Sequence, residues 1–501
     1  MPLKFLTTKL KYLFHLILIM LLSSCASELN PYKFAPPTQE TQWSPKDSLS
    51  DYFPEESDLP EVSEELMPYI DELTLVQFID VALMNSPVTQ QSWEESRAAA
   101  AAWAVARGLY YPQVDGSISG TDTDISTSGG NLSFNQSTAQ AGVTLDYLLL
   151  DFGGRSAQVE QAKQALINSN WNHNQTIQDV LRNVAAAYYT YIGNRAQVEA
   201  DEKSIEEAKT SLEAADLRLE AGVGTLPDVL QARASLAEVE FDLVSDQGDV
   251  QVSRGDLATT VGWAANMNFD VIEQDEVFSP ELLESNVNSL IEIAMKYRPD
   301  LAAIVASVRQ SEAAIKESRS NLLPYLSASG NFYEEYVDST GDETYEFNDN
   351  YTFTLELTIP IFHGFSLRNL LREAESNLEA TRAALKIQEQ QVISDVWSTY
   401  YYFQTAVQQL EAADTLLESS LESFDASFTR YRSGVGDIVE LLNAQSLLAE
   451  ARAQKVQSRT NLFVSYAELI HSLGTDIPFT EEIEIIEDES VDLEFKNEDK
   501  K

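Results

Sequence analysis

The stretch RLEAGVGTLPDVLQARASLAEVE, Arg218 to Glu240, returns as RYRSGVGDIVELLNAQSLLAEAR, Arg430 to Arg452. The two align without a gap from Arg218 to Gly262 and from Arg430 to Gly474, pairing Leu230 with Leu442, Ala232 with Ala444 and Glu238 with Glu450. The same offset of 212 pairs Pro87 with Pro299, Pro112 with Pro324 and Tyr188-Tyr189 with Tyr400-Tyr401. Only around DFGG (Asp151–Gly154) and IFHG (Ile361–Gly364) does the offset fall to 210, so the copies differ there by two residues. Two copies of one large unit mark a duplication rather than a solenoid of short repeats.

Each copy reads in the same order. A helix rich in Ala, Glu, Gln and Arg opens it, Leu73 to Tyr110 and about Val287 to Asn321, and a proline ends that helix. The period then changes to two. Val114, Gly116, Ile118 and Gly120 alternate with polar residues, as do Ala139, Ala141, Val143, Leu145 and Tyr147. In the second copy Leu326, Ala328, Gly330 and Phe332, then Tyr351, Phe353, Leu355, Leu357, Ile359 and Ile361, repeat the pattern. Proline-free runs follow, Gly154 to Gly222 and Gly364 to Gly434, long enough for helices on the order of 100 Å at the usual rise per residue. A Gly-Val-Gly turn sends the chain into a returning helix, Leu226 to Val261 and Asp437 to Leu473, with glycine as the left-handed C-terminal residue and Asp437 as an N-cap. Ala-rich faces such as NVAAAYYTY and EAADLRLEAG suit close packing between helices.

Alternation over about ten residues fits a strand packed on a soluble core and equally a strand tilted through a bilayer. Here the polar faces are small and uncharged or acidic, as a water-filled lumen requires. Tyr111, Tyr147, Tyr325 and Tyr351 are expected near strand ends, where an interfacial girdle belongs. Four strands are too few to close a membrane barrel and a lipid-exposed edge is forbidden, so several chains are expected to pool their strands.

The flanks carry different information. Lys4, Lys9 and Lys11 precede the apolar run Tyr12–Leu22, too short to span a bilayer but of signal-peptide length. The LSSC that follows resembles the bacterial lipobox, with Cys25, the chain's single cysteine, as the lipidated residue. Residues 1–24 are thus expected as a lipoprotein signal peptide. Diacylglycerol and an N-acyl chain on Cys25 would anchor the mature protein, and the resemblance to the lipobox implies the outer membrane as destination, since Ala26 and not an aspartate follows the cysteine. Residues 25–72 hold many prolines and read as an extended tether, and residues 475–501 as an acidic, solvated tail. With 80 acids against 33 bases the net charge is −47, which repels nucleic acid. Four scattered histidines give no metal-ligand spacing, and neither a phosphate-binding GxxxxGK nor a nucleophile-base constellation appears. No enzyme, metal or cofactor is expected beyond the lipid.

Together the paired GVG segments, the DFGG and IFHG strand ends and the duplicated order resemble the outer membrane factors, the TolC- and OprM-type ducts, over Leu73 to Gly474. The resemblance implies a mainly α fold with a transmembrane β-barrel contribution: repeats at 73–285 and 286–474, each helix-strand-strand-helix-helix, and four β-strands per chain. It also implies a homotrimer whose twelve strands form one barrel in the outer membrane, above a long periplasmic α-barrel. The implied function is a passive exit duct, working with a periplasmic adaptor and an inner-membrane pump. A resistance-nodulation-division pump is favoured over an ABC exporter of type I protein secretion. Carried over by position, the adaptor-docking tip comprises Arg218, Leu219, Gly222, Val223 and Gly224 with Arg430, Tyr431, Gly434, Val435 and Gly436. The periplasmic gate comprises Asp228, Gln231, Glu440 and Asn443. Gly436 stands where some members place a basic residue that ties the tip shut, so a closing link would be built differently. The rivals from another class are a coiled-coil structural lipoprotein, which would lack membrane strands, and a periplasmic adaptor, which would have one hairpin.

Overall fold

The computed structural model describes residues 36, 38–41, 73–126, 133–272, 286–339 and 346–475. The signal segment, Cys25, most of the tether and the acidic tail beyond Thr475 lie outside the described residues.

In chain order the elements are α1 (Leu75–Asn85), α2 (Pro87–Gly108), β1 (Gln113–Ser126), β2 (Ser133–Leu150), α3 (Gly154–Glu220) and α4 (Leu226–Thr260), then α5 (Val287–Tyr297), α6 (Pro299–Ser320), β3 (Tyr325–Ser339), β4 (Glu346–Thr358), α7 (Ser366–Arg432) and α8 (Ile438–Leu473). The duplication is plain: α3 and α7 are each 67 residues long. One expectation is corrected in both copies. The opening helix is two helices, broken before Pro87 and Pro299, where Ser86 (φ −67°, ψ 123°) and Arg298 (φ −66°, ψ 123°) are extended. A residue preceding proline is sterically excluded from the helical region, and the proline then starts a fresh helix at a position needing no N–H donor. No described helix is long and apolar enough to cross a membrane.

The chain forms two compact units. The first takes residues from 1–64, 81–180 and 291–398, the second from 65–80, 181–290 and 399–501.

In the first unit the four strands make one antiparallel sheet in the order β1-β2-β3-β4, so β2 and β3 also join the two copies. Register puts Val114, Leu145, Gly330 and Phe353 in one row and Gly116, Val143, Phe332 and Tyr351 in another. These belong to a single apolar face, and the next row, Ile118 and Ala141, adds Glu334 opposite Asp349. The other face carries Asp115, Thr144, Asn331 and Thr352 in one row and Asp146, Ser329 and Thr354 in another. Apolar residues on the edge strand β4 lie open, Tyr351 at 84% and Phe353 at 74% exposure. Tyr325 starts its strand as expected, whereas Tyr351 falls mid-strand because β4 begins at Glu346. Strand pairing stops at Thr358, since Pro360 cannot donate to a ladder.

Strands hand over to long helices through paired left-handed residues, Phe152 (φ 50°) with Gly153 (φ 99°), and Gly364 (φ 60°) with Phe365 (φ 66°). Arg155 secures the first handover: its guanidinium donates to the carbonyls of Leu109 and Leu149 and lies near the rings of Tyr110 and Tyr147. Asn168 Nδ2 donates to the Ala303 carbonyl (2.8 Å), tying α3 to α6. Arg298, almost fully buried, bridges Asp300 (2.6 Å) and Asp395 (3.1 Å), joining the start of α6 to α7.

His173 on α3 is fully buried, and its Nδ1 meets Ser92 Oγ on α2 at 2.8 Å while Nε2 meets the Thr41 carbonyl at 3.1 Å. Trp93 Nε1 and Gln39 Nε2 add bonds to the carbonyls of Pro36 and Met84, so a short N-terminal segment is stapled to the helices. Burial lowers the His173 pKa from 6.5 to about 4. The native state therefore holds the neutral ring, a contribution present above pH 6.5 and lost as pH falls toward 4, worth about 3 kcal/mol in full. His173→Gln should flatten that part of the stability profile, measured by urea unfolding at pH 7, 5.5 and 4.5.

The core of the second unit has an aromatic part. Phe78 packs among Tyr188, Trp263 and Phe269, and Tyr188 Oη donates to the Ile272 carbonyl at 2.9 Å. Tyr189 stacks on Phe463 with centroids 4.8 Å apart, so α3 lies against α8. The helices approach closely at Gly193, where a Cβ would come within 2.2 Å of Thr460 Oγ1.

Candidate functional site

The two Gly-Val-Gly turns fold alike. The carbonyl of Arg218 accepts from the N–H groups of Val223 (3.0 Å) and Gly224 (2.9 Å), as that of Arg430 does from Val435 and Gly436 (both 3.0 Å). Each glycine has its own reason. Gly222 (φ 73°) and Gly434 (φ 81°) are left-handed, the conformation that ends the outgoing helix. Gly224 and Gly436 need room instead: a Cβ would lie 3.0 Å from the Arg218 backbone in one turn and 3.2 Å from Arg430 Cβ in the other. Returning helices start on capped residues. Thr225 N–H donates to Asp228 Oδ2 at 3.0 Å, and Asp437 Oδ1 accepts from Glu440 N–H at 2.8 Å.

Below the turns the hairpins of the two copies share one core. The first copy supplies Ala214, Ala215, Val229 and Ala232, and the second the larger Phe424, Tyr431, Ile438, Leu441 and Leu448. The Ala-rich face of EAADLRLEAG is thus the surface that receives the second copy's bulky side chains.

The paired arginines diverge. The Arg218 guanidinium crosses to the second copy, donating to the Tyr431 carbonyl and lying 4.5 Å from the ring centroid. Arg430 stays in its own hairpin, 3.4 Å from Glu440. One expectation is corrected here. Tyr431 is 1% exposed and cannot belong to an exposed docking edge, because its ring fills the shared core at the position that Leu219 occupies in the first copy. Burial raises its phenol pKa, the Arg218 charge opposes this and Asp228 adds to it. Of the other proposed docking residues, Gly222, Val223, Arg430, Gly434 and Val435 are exposed, and Arg218, Leu219, Gly224 and Gly436 are half-buried.

The proposed gate residues have unequal settings. Gln231 and Asn443 are exposed, whereas Asp228 and Glu440 are half-buried and held in place, the first by its helix cap and the second by Arg430.

A carboxyl that sequence reading missed lies in the first hairpin. Asp201 on α3 is 7% exposed, accepts from Gln197 Nε2 at 2.9 Å through Oδ1, and turns toward Asp246 on α4 an Oδ2 that no donor reaches. Burial, with the carboxyl of Asp246 next and Asp242 adding, pushes its pKa up to about 7. The second copy has Ala413 and Ser458 at the matching positions, so the acid pair belongs to one copy alone. That difference was visible in the aligned repeats, but which helix faces meet was not. Because the folded state favours the proton, this contribution is full below about pH 4 and lost as pH rises through 7. Asp201→Asn should remove the loss, read as a melting-temperature difference between variant and parent chain that grows from about pH 4 to 7 and stays level above it.

A chain built of two copies, each a strand pair followed by a long helical hairpin, with one sheet face apolar, has the architecture of an outer-membrane duct. It belongs to the outer membrane efflux protein family, whose profile matches residues 78–263 and 290–475. It is similar to Protein CyaE of Bordetella pertussis, 26% identical over 406 residues, covering 81% of this chain and 85% of that protein. The probable efflux pump outer membrane protein TtgC of Pseudomonas putida is 23% identical over 409 residues, covering 80% and 82%. Among solved structures, the outer membrane protein VceC of Vibrio cholerae superposes with a TM-score of 0.69 at 19% identity, covering 80% of this chain and 96% of that one. Members of the family are outer-membrane channels rather than enzymes, and this chain is an efflux channel of that kind.

Proposed function

We propose that three copies assemble into a passive exit duct, lipid-anchored through Cys25 and gated at the Gly-Val-Gly turns. The observation that carries this reading is the open sheet. Its β1 and β4 edges are each paired on one side only, and β4 bears an exposed apolar face, so three copies would give twelve strands and no lipid-facing edge. The duct has no motor of its own. A periplasmic adaptor docking on Val223, Val435 and the flanking Arg430 would connect it to an inner-membrane pump, favoured to be of the resistance-nodulation-division type.

Closure would rest on the tie between Arg218 and Tyr431 and on the Arg430–Glu440 pair, which fill the part left vacant by a glycine at position 436. Opening would then part the two hairpins of one chain, with Asp228 and Glu440, each present three times, setting a preference for cations. In planar bilayers the intact protein should give small conductance steps. Arg218→Ala should raise them several-fold, and Asp228→Asn with Glu440→Gln should reduce the preference for cations over anions. A protein that inserts yet passes no current, in any of these variants, would overturn the reading.

A further inference from the structure

Where the sheet of the first unit meets its helices, a cleft of about 600 Å³ opens between the strand bases and the first turns of α3 and α7. Leu109, Leu148 and Leu323 line its apolar part, and Tyr111, Tyr147 and Tyr325 supply its rings. Tyr147 is engaged, with the Arg155 guanidinium 5.9 Å from its centroid. Tyr111 and Tyr325 stand open, 48% and 43% exposed. Tyr325 has the parity of Ser327 and Ser329, so it lies on the polar face of the sheet, where a tyrosine that anchors a strand in lipid has no use.

Charge in the cleft is uneven. Arg155 is the one lysine or arginine of the lining and is committed, its Nε 3.5 Å from Asp151 and its other nitrogens on the carbonyls of Leu109 and Leu149. Asp146 is exposed, and among the described residues no hydrogen bond or ion pair engages its carboxylate. It is in register with Ser329 and so shares the polar face with Tyr325, which lies about 13 Å further along the strand.

We propose that this cleft binds an extended organic cation, its positive charge meeting Asp146 and its rings lying against Tyr111 and Tyr325. The volume falls within the range of small-molecule sites. Tyrosine faces and an unpaired carboxylate both attract positive charge, whereas an anion would meet Asp146 with Arg155 already answered by Asp151. A bare metal ion would find one free carboxylate where it needs several ligands, and among the described residues no cluster suited to a metal occurs. In the proposed duct such a ligand would be cargo in passage; that role rests on the duct reading, and the binding does not.

Fluorescence polarisation tests the binding apart from conduction. With the full chain in lipid nanodiscs at pH 8 and empty discs as baseline, rhodamine 6G, a cation of fused rings, should bind saturably. Fluorescein, an anion on the same ring system, should not. Asp146→Asn should weaken rhodamine binding several-fold, as should Tyr111→Leu combined with Tyr325→Leu. Glu335→Gln removes the same charge from the same face three rows away and should leave the affinity unchanged. No saturable binding, equal binding of the two dyes, or binding that the Asp146 or tyrosine variants leave intact would overturn the proposal, and so would a loss in Glu335→Gln as large as that in Asp146→Asn. Conduction without rhodamine binding would overturn this proposal and leave the duct standing, and rhodamine binding without conduction would do the reverse.

Discussion

Backbone hydrogen bonding is the constraint to which the other features answer. Four strands bonded in chain order leave one free ladder on β1 and one on β4. Each unpaired peptide group in hydrocarbon costs several kcal/mol, so an open sheet of this kind is untenable in lipid until both edges are met. In the proposed trimer β4 of one copy meets β1 of the next. The same symmetry reaches the helices, since every strand pair is followed by one long hairpin. A duplicated chain used three times gives six hairpins around one axis.

Those six would not be equivalent. Turn geometry is held in common down to the hydrogen bonds on the Arg218 and Arg430 carbonyls, because only glycine satisfies both the left-handed φ and the close backbone approach. Side-chain roles have separated. One arginine ties the first copy to the second, the other closes on its own hairpin, and where the second copy has the buried rings of Phe424 and Tyr431 the first has Leu212 and Leu219. The acid pair of Asp201 and Asp246 exists in one copy only. A fused pair of repeats can specialise in this way, which six identical hairpins could not.

Much of the fold was legible because periodicity and repetition are properties of the chain itself. Alternation at Val114–Gly120 and Tyr351–Leu357 located strands, and proline-free runs located α3 and α7 to within about two residues. The break before Pro87 and Pro299 was equally available, since the steric exclusion acts on the neighbouring residue; helical composition on both sides concealed it. Buried pairing was not legible. Tyr431 sits in a motif that aligns with an exposed turn, and only the packing of one hairpin against the other shows that its ring faces inward. His173 showed no metal spacing, and among the described residues no cluster suited to a metal occurs, yet its work as a buried staple depends on Ser92 and Thr41, both distant in sequence.

Charge is distributed by the same logic of paired and unpaired groups. The sixty strand residues include ten acids and no lysine or arginine, and the register divides the acids between the two faces, with Asp115 and Asp146 on the polar one and Glu334 and Asp349 on the apolar one. The bases are placed differently. Arg155 holds a strand-to-helix handover, Arg218 joins two hairpins, Arg298 links α6 to α7, and Arg452 binds α8 to α3 through Glu207. A planar guanidinium with five donors can satisfy several acceptors at once, which suits it to such junctions better than a lysine. Acids on exposed helix faces can therefore accumulate at little cost to stability, whereas each of these arginines leaves acceptors unmet if it is lost. The net charge of −47 is in this sense a surface property, resting on a small set of cations that the packing cannot spare.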